Sequence, residues 1–358
     1  MPSNKSPVGA PRLFRFAEDD KIHSRWTHDA NMTSVKKGPG SILGHMRRPH
    51  ATDTWHPLAS LAPAVSVLLA VSLALAGCGG AAQNETTGAA FTPAASIQDA
   101  TYDATAATGQ NGALIDTSHA SQGYVAASAT STSRLKLQVS MGETAYNLDL
   151  ATDGTPTVAP LSMGNGSYTI RVMQNTTGNN YVELARTTVD AQLESEFAPF
   201  LRPSAVCNYN EDSACVARAR ELVADCTNQG EAVEAICTYI AENITYDDEK
   251  AAQLKDASGY LPDPDQTLAD GKGICFDYAS LGAAMLRSQG IPTQIVTGNV
   301  SPDNIYHAWI MVYIDGTWKS ASFSVEQNTW SLVDLTFAAG GNTAYIGDGK
   351  EYSQRYVY

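Results

Sequence analysis

Three residues that lie far apart in the sequence have the side chains nucleophilic catalysis needs. Cys275 stands in Gly271-Lys272-Gly273-Ile274-Cys275, where a glycine-marked loop runs into an apolar-patterned stretch that ends at Gly290, with Pro292 beyond it. A cysteine at the start of a helix faces unpaired backbone N–H groups and the positive end of the helix dipole, and both favour the thiolate. A packed core thiol is the competing reading, because cysteine is among the most buried residue types. His307, in Tyr306-His307-Ala308-Trp309, and His119 are the two histidines after Cys78. A base that titrates near neutrality in the folded part is therefore His307, unless it is a hydrogen-bonded structural histidine. A Cys–His pair also needs an acceptor on the far ring nitrogen, to fix the tautomer and support the imidazolium. Asp334 lies in Trp330-Ser331-Leu332-Val333-Asp334-Leu335-Thr336-Phe337, and a carboxylate in so apolar a strand wants a partner. Asp315 competes for this role, although Asp315-Gly316 reads as turn chemistry. Together the three residues would perform acyl transfer through a thiol nucleophile.

Helices and strands must bring them together. Cys215, Val216, Ala219, Leu222, Val223 and Cys226 recur at helical spacing, and so do Val233, Ile236, Cys237, Ile240 and Ile244. An acidic loop from Tyr246 to Lys272 leads into the Cys275 helix. Strands follow at Thr293–Val300, His307–Ile314 and Ser331–Leu335. Helices ahead of an antiparallel sheet make an α+β domain over 204–358. Upstream, residues 131–203 alternate with period two: Leu135, Leu137 and Val139, then Tyr146, Leu148 and Leu150. After the turn Gly164-Asn165-Gly166-Ser167 come Tyr168, Ile170 and Val172. This predicts a small all-β module, and it holds no His or Cys. Residues 78–130 are mainly Gly, Ala, Ser, Thr and Gln without a sustained apolar period, which predicts a flexible tether.

Charge and targeting signals bound the function classes. The net charge is −14; residues 1–50 carry nine Lys and Arg against four Asp and Glu, leaving 14 against 33 for the rest. Such an acidic body argues against a nucleic-acid partner. Residues 57–77, PLASLAPAVSVLLAVSLALAG, are almost wholly apolar, follow Arg47 and Arg48, and end in Leu75-Ala76-Gly77-Cys78. This pattern reads as a secretory signal over 46–77. Its end resembles a bacterial lipobox, which implies that Cys78 is lipidated and that the protein is anchored on the extracytoplasmic face of the cell membrane. A plain transmembrane anchor is the alternative. Residues 1–45 fit neither and are expected to be a start-site artefact or a disordered extension. In an extracytoplasmic chain, Cys207, Cys215, Cys226 and Cys237 are core thiols or, as we expect, two disulfides, with a connectivity that spacing does not fix. No metal-ligand spacing and no cofactor motif is present, so none is expected.

GKGICFDYASLGAAMLRSQGIPTQIVTG, YHAWIMVY and WSLVDLTF, in that order, resemble the core of the transglutaminase-like superfamily. The resemblance covers about residues 205–340. It implies a papain-like fold, with Cys275 as nucleophile at a helix N-terminus and His307 and Asp334 as base and orienting acid on neighbouring strands. Trp309 matches the aromatic after the histidine and is a candidate for the substrate cleft. Tyr246 matches an upstream aromatic that helps hold the oxyanion in some relatives. The family's usual Asp-Pro is here Asp334-Leu335. A β module and such a core behind a lipobox are similar to surface lipoproteins of Gram-positive bacteria.

The implied reaction is attack of Cys275 on a carboxamide or peptide carbonyl of a protein or peptide, such as a Gln side chain or cell-wall peptide. An amine then resolves the thioacyl intermediate by cross-linking, or water by hydrolysis. A cysteine peptidase or amidase on the same triad is the close alternative. A non-catalytic surface binding module that retains the fold is the third.

Overall fold

A computed structural model describes residues 13–15 and 85–358, apart from 255, 256, 258, 302–304, 321, 322 and 341–351. These belong to one structural unit. The signal segment and Cys78 lie outside the described residues, as do residues 1–45 apart from Leu13–Arg15. Among the described residues, no helix is long and apolar enough to cross a membrane.

The first half is all β. Along the chain come β1 (Leu13–Arg15), β2 (Glu85–Gly88), β3 (Thr108–Gln110), β4 (Ala113–Asp116), β5 (Tyr124–Ala129) and β6 (Leu135–Met141). They are followed by β7 (Thr144–Leu150), β8 (Thr157–Pro160), β9 (Gly166–Thr177) and β10 (Asn180–Ala191). One antiparallel sheet has the order β1-β10-β9-β6-β7, and a second has β3-β4-β5-β8. The alternating residues face inward as their spacing requires: Leu135, Leu137, Val139, Ile170 and Val172 are all buried.

The flexible tether expected over 78–130 is overturned from residue 85 onward. Strand β5, Tyr-Val-Ala-Ala-Ser-Ala, is a central strand of the second sheet, and five of its six residues are buried. Its alanines looked like linker composition, yet here they let a neighbouring layer approach closely. The β module therefore begins well before residue 131. Strand β2 belongs to neither module sheet; it pairs with a strand of the C-terminal half, described next.

The second half is helical and then β. It holds α1 (Ala214–Leu222), α2 (Gln229–Asn243), β11 (Thr245–Tyr246), α3 (Asp248–Leu254), α4 (Pro264–Asp270), β12 (Lys272–Gly273) and α5 (Cys275–Ser288). After these come β13 (Thr293–Val300), β14 (Ile305–Val312), β15 (Gly316–Lys319), β16 (Ser324–Val325), β17 (Ser331–Val333), α6 (Leu335–Ala339) and β18 (Tyr352–Val357). All fourteen residues of α5 are buried, so it is the central helix; Asp277 and Arg287 are its buried charged residues. It packs on an antiparallel sheet of order β17-β14-β13-β18, and the fold is α+β as expected. Strand β2 joins the small sheet β16-β15-β2, with Thr87 opposite Thr317.

The expected disulfides are absent from the structure: Cys207, Cys215, Cys226 and Cys237 are free thiols. Each is used for packing instead. Cys207 Sγ donates to Ser280 O on α5, and Cys226 Sγ donates to Leu222 O. Cys215 and Cys237 are buried in the main core. Cys215 on α1 and Cys237 on α2 hold core positions, where a thiol acts as a small apolar group.

Candidate active site

Cys275 is the first residue of α5. The loop before it is held by a parallel bridge, Thr245 opposite Lys272 and Tyr246 opposite Gly273. Thr245 N donates to Gly271 O at 2.9 Å and Asp247 N to Gly273 O at 3.0 Å. Tyr278, one turn into α5, donates its hydroxyl to Ile244 O at 2.7 Å and ties the same bridge to the helix. Gly271 takes the left-handed conformation, φ 62°, which ends α4 and turns the chain toward Cys275. Asp277 closes the cap: its Oδ2 accepts from Ile274 N at 2.8 Å. Aspartate three residues past the cap commonly satisfies this orphan N–H.

His307 lies on β14, opposite Gly298 of β13. Its Nε2–H donates to Asp334 Oδ2 at 2.7 Å. The other ring nitrogen is then the one left for Cys275, whose sulfur is among the groups that raise the His307 pKa. Cys275 is 3 % exposed, His307 5 % and Asp334 0 %. Burial opposes a charge on His307, but the carboxylate of Asp334, the Cys275 sulfur and hydrogen bonds to both outweigh it, and its pKa is pushed up to about 10. The structure thus brings together the three residues singled out by type and spacing. Asp315 is not among them. It is exposed in the turn before β15, where Gln327 Nε2 donates to its carboxylate.

Asp334 is fixed from several sides. It caps α6, with Oδ1 accepting from Phe337 N at 3.1 Å. Leu335, the residue after it, lies against α5: a Cβ on Gly282 would come within 2.6 Å of Leu335 Cδ1. Leu335 starts a helix whose N-cap is Asp334. Tyr352 of β18 donates its hydroxyl to Asp334 Oδ2 at 2.9 Å. Phe337 stacks on the His307 ring, with centroids 4.7 Å apart.

Trp309, expected to line a substrate cleft, does not. It is buried in a small cluster with Val296 and Val300, edge-on to Tyr352 at 4.9 Å. It backs the tyrosine that holds Asp334. Spacing alone could not separate a cleft face from this packed face. Tyr246 is different: it is among the few large exposed hydrophobic residues, at 41 %. Desolvation and then the charges of Cys275, Asp248 and Asp277 raise its pKa, so the phenol stays neutral. Tyr352, Phe337 and Asp277 were missed in the sequence. Asp277 alone left a signal there, an acidic residue in the first turn of an otherwise apolar helix.

Among the described residues, no three His, Cys, Asp or Glu side chains are grouped to hold a metal ion. Residues 216–334 match the model of the transglutaminase-like superfamily. The matched part runs from α1 to Asp334, and it is similar to a transglutaminase-like domain. Three proteins illustrate the likeness. Kyphoscoliosis peptidase of Mus musculus is 33 % identical over 132 residues, covering 32 % of this chain and 19 % of its own. A UPF0252 protein of Archaeoglobus fulgidus is 30 % identical over 90 residues, covering 22 % of this chain and 29 % of its own. Red sea bream transglutaminase has a TM-score of 0.27 at 10 % identity, covering 60 % of this chain and 48 % of that one. The chain thus spans less than a third of each of these two curated relatives.

Proposed function

We propose that this transglutaminase-like domain is a thiol acyltransferase or hydrolase with Cys275 as nucleophile. The observation that carries the reading is the buried His307–Asp334 hydrogen bond, with the electrostatic influence of Cys275 on that histidine and Cys275 at the N-terminus of a buried helix. The Cys275 thiolate attacks a carboxamide or peptide carbonyl, and the carbonyl pair moves onto oxygen. The Cys275 backbone N–H and the Tyr246 hydroxyl stabilise that oxyanion. His307 gives its proton to the leaving amine as the C–N bond breaks, leaving a thioester. It then takes a proton from an incoming amine or water, whose attack returns the thiolate. Asp334 holds the imidazole in the productive tautomer throughout.

The amine outcome cross-links and the water outcome hydrolyses. The name of the mouse relative, a peptidase, supports hydrolysis. The substrate we propose is a protein or peptide, through a Gln side chain or a cell-wall peptide. The anchor rests on Leu75-Ala76-Gly77-Cys78 alone, and Cys78→Ser should release the protein or leave an uncleaved precursor. The deciding experiment offers a Gln-containing protein with a labelled primary amine. Covalent label marks transfer, ammonia or peptide release without label marks hydrolysis, and Cys275→Ala should abolish either. If neither product forms across a broad peptide survey, and Cys275 shows an ordinary thiol reactivity, the reading fails.

A further inference from the structure

The cap of the nucleophile's helix carries a charge that works against the nucleophile. Asp277 is fully buried, and its carboxylate sits on Ile274 N, the amide next to Cys275. It is packed so closely that a Cβ on Gly273 would lie 2.6 Å from Asp277 Cβ. A lone carboxylate there would repel a thiolate two residues away and consume the helix-end dipole that favours it. Two donors from outside the helix meet this carboxylate. Lys250 Nζ of α3 lies 2.7 Å from Oδ2, and the Tyr260 hydroxyl donates to Oδ1. The Lys250 ammonium also sits over the Tyr260 ring at 4.9 Å, so the two arms hold each other.

We infer that Lys250 is an electrostatic positioning residue for the nucleophile: by pairing with Asp277, it lets the helix cap stand beside Cys275 without opposing its thiolate. The inference rests on the proposed role of Cys275. The charged and titratable groups around the sulfur come from several elements. His307 and Tyr306 lie on β14 and Tyr246 on β11. Asp277 lies on α5 itself, with Lys250 and Tyr260 facing it. Of these, Lys250 is the cation besides His307. Its ion pair is with Asp277, and it acts on the sulfur through that carboxylate.

The test is the pH dependence of iodoacetamide labelling of Cys275 in the full chain. In Lys250→Met the apolar stem keeps its place on Tyr260 and the charge is lost. The acid limb of the labelling profile should move up by about one pH unit, about tenfold in rate at a fixed acid pH. Asp277→Asn should stay within about twofold of wild type, since its amide oxygen can still accept from Ile274 N. The double variant should return to the Asp277→Asn profile. If Lys250→Met does not fold, Lys250→Gln carries the same test, and Lys250→Arg should hold the wild-type profile. Unchanged labelling in the uncharged variants, or a shift that persists in the double variant, overturns the inference and leaves Lys250 a structural tie. An ordinary thiol profile in the wild type overturns the nucleophile reading instead, so the two failures are distinct.

Discussion

Tyr352 and His307 donate to the same oxygen: Oδ2 of Asp334 accepts from the Tyr352 hydroxyl at 2.9 Å and from His307 Nε2 at 2.7 Å. With Phe337 N on the other oxygen, the carboxylate is directed at the imidazole by a strand, a helix cap and Trp309 behind the tyrosine. Removing the tyrosine hydroxyl should loosen the acid without touching cysteine or histidine. Hydrogen bonds to charged groups are worth about 1.5–3 kcal/mol. Tyr352→Phe should therefore lower kcat by about tenfold or more and leave KM nearly unchanged. Steady-state kinetics on any substrate that turns over checks this, and a change confined to KM would point to a binding role.

The raised pKa of His307 has a consequence for stability. Its cation is favoured by the folded state, so its contribution is fully present below the unfolded value of about 6.5 and is lost as pH rises through about 10. The gap in urea midpoint between wild type and His307→Gln should therefore be widest near pH 6 and narrow steadily toward pH 10. A gap that widens with pH would mean that the ring is held neutral.

The four remaining cysteines should behave as buried thiols. Burial pushes Cys207 up to about 11 and Cys215 and Cys237 further, while Cys226 is raised to a lesser degree. In the native protein at neutral pH, Cys275 should alkylate first and these four should stay silent for many half-lives. After denaturation without reductant, mass spectrometry should count five alkylated cysteines beyond Cys78. Three or fewer would restore the disulfide expectation.

What the sequence disclosed follows from the physics of each signal. Cys275, His307 and Asp334 stood out because each is chemically anomalous where it sits: a thiol at a glycine-marked helix start, a rare histidine at a strand, a carboxylate in an apolar run. The strands carrying Leu137, Leu148 and Ile170 showed through period two. Tyr352 and Phe337 gave no such signal, because an aromatic in a strand or short helix is ordinary core material until its hydroxyl or ring face finds the site. Trp309 misled for the same reason. Residues 85–130 misled because Ala, Gly and Thr are the composition both of a linker and of backbones that pack closely.

That last ambiguity can be tested at β2. Thr87 and Gly88 lie against two glycines of the transglutaminase-like half. A Cβ on Gly316 would come within 2.2 Å of Thr87 O, and one on Gly230 within 2.6 Å of the same oxygen. Thr87 Oγ1 and Thr317 Oγ1 share a hydrogen bond at 2.9 Å, and Ala89 N donates to Asp315 O at 2.6 Å. These are backbone contacts, which cannot yield as a flexible side chain would. Gly316→Ala should therefore destabilise the protein by about 1–3 kcal/mol through forced backbone shifts. Thr87→Val keeps the shape and removes the shared hydroxyl pair, so it should cost about 1 kcal/mol or less. In a chain with residues 85–90 replaced by Gly-Ser repeats, β15 loses its neighbour, and the Gly316→Ala penalty should largely vanish because the clashing strand is gone. Thermal or urea unfolding of wild type and these four variants reads this directly. A tether would give no loss from the replacement and an unchanged Gly316→Ala penalty; a stitched strand gives the opposite on both counts.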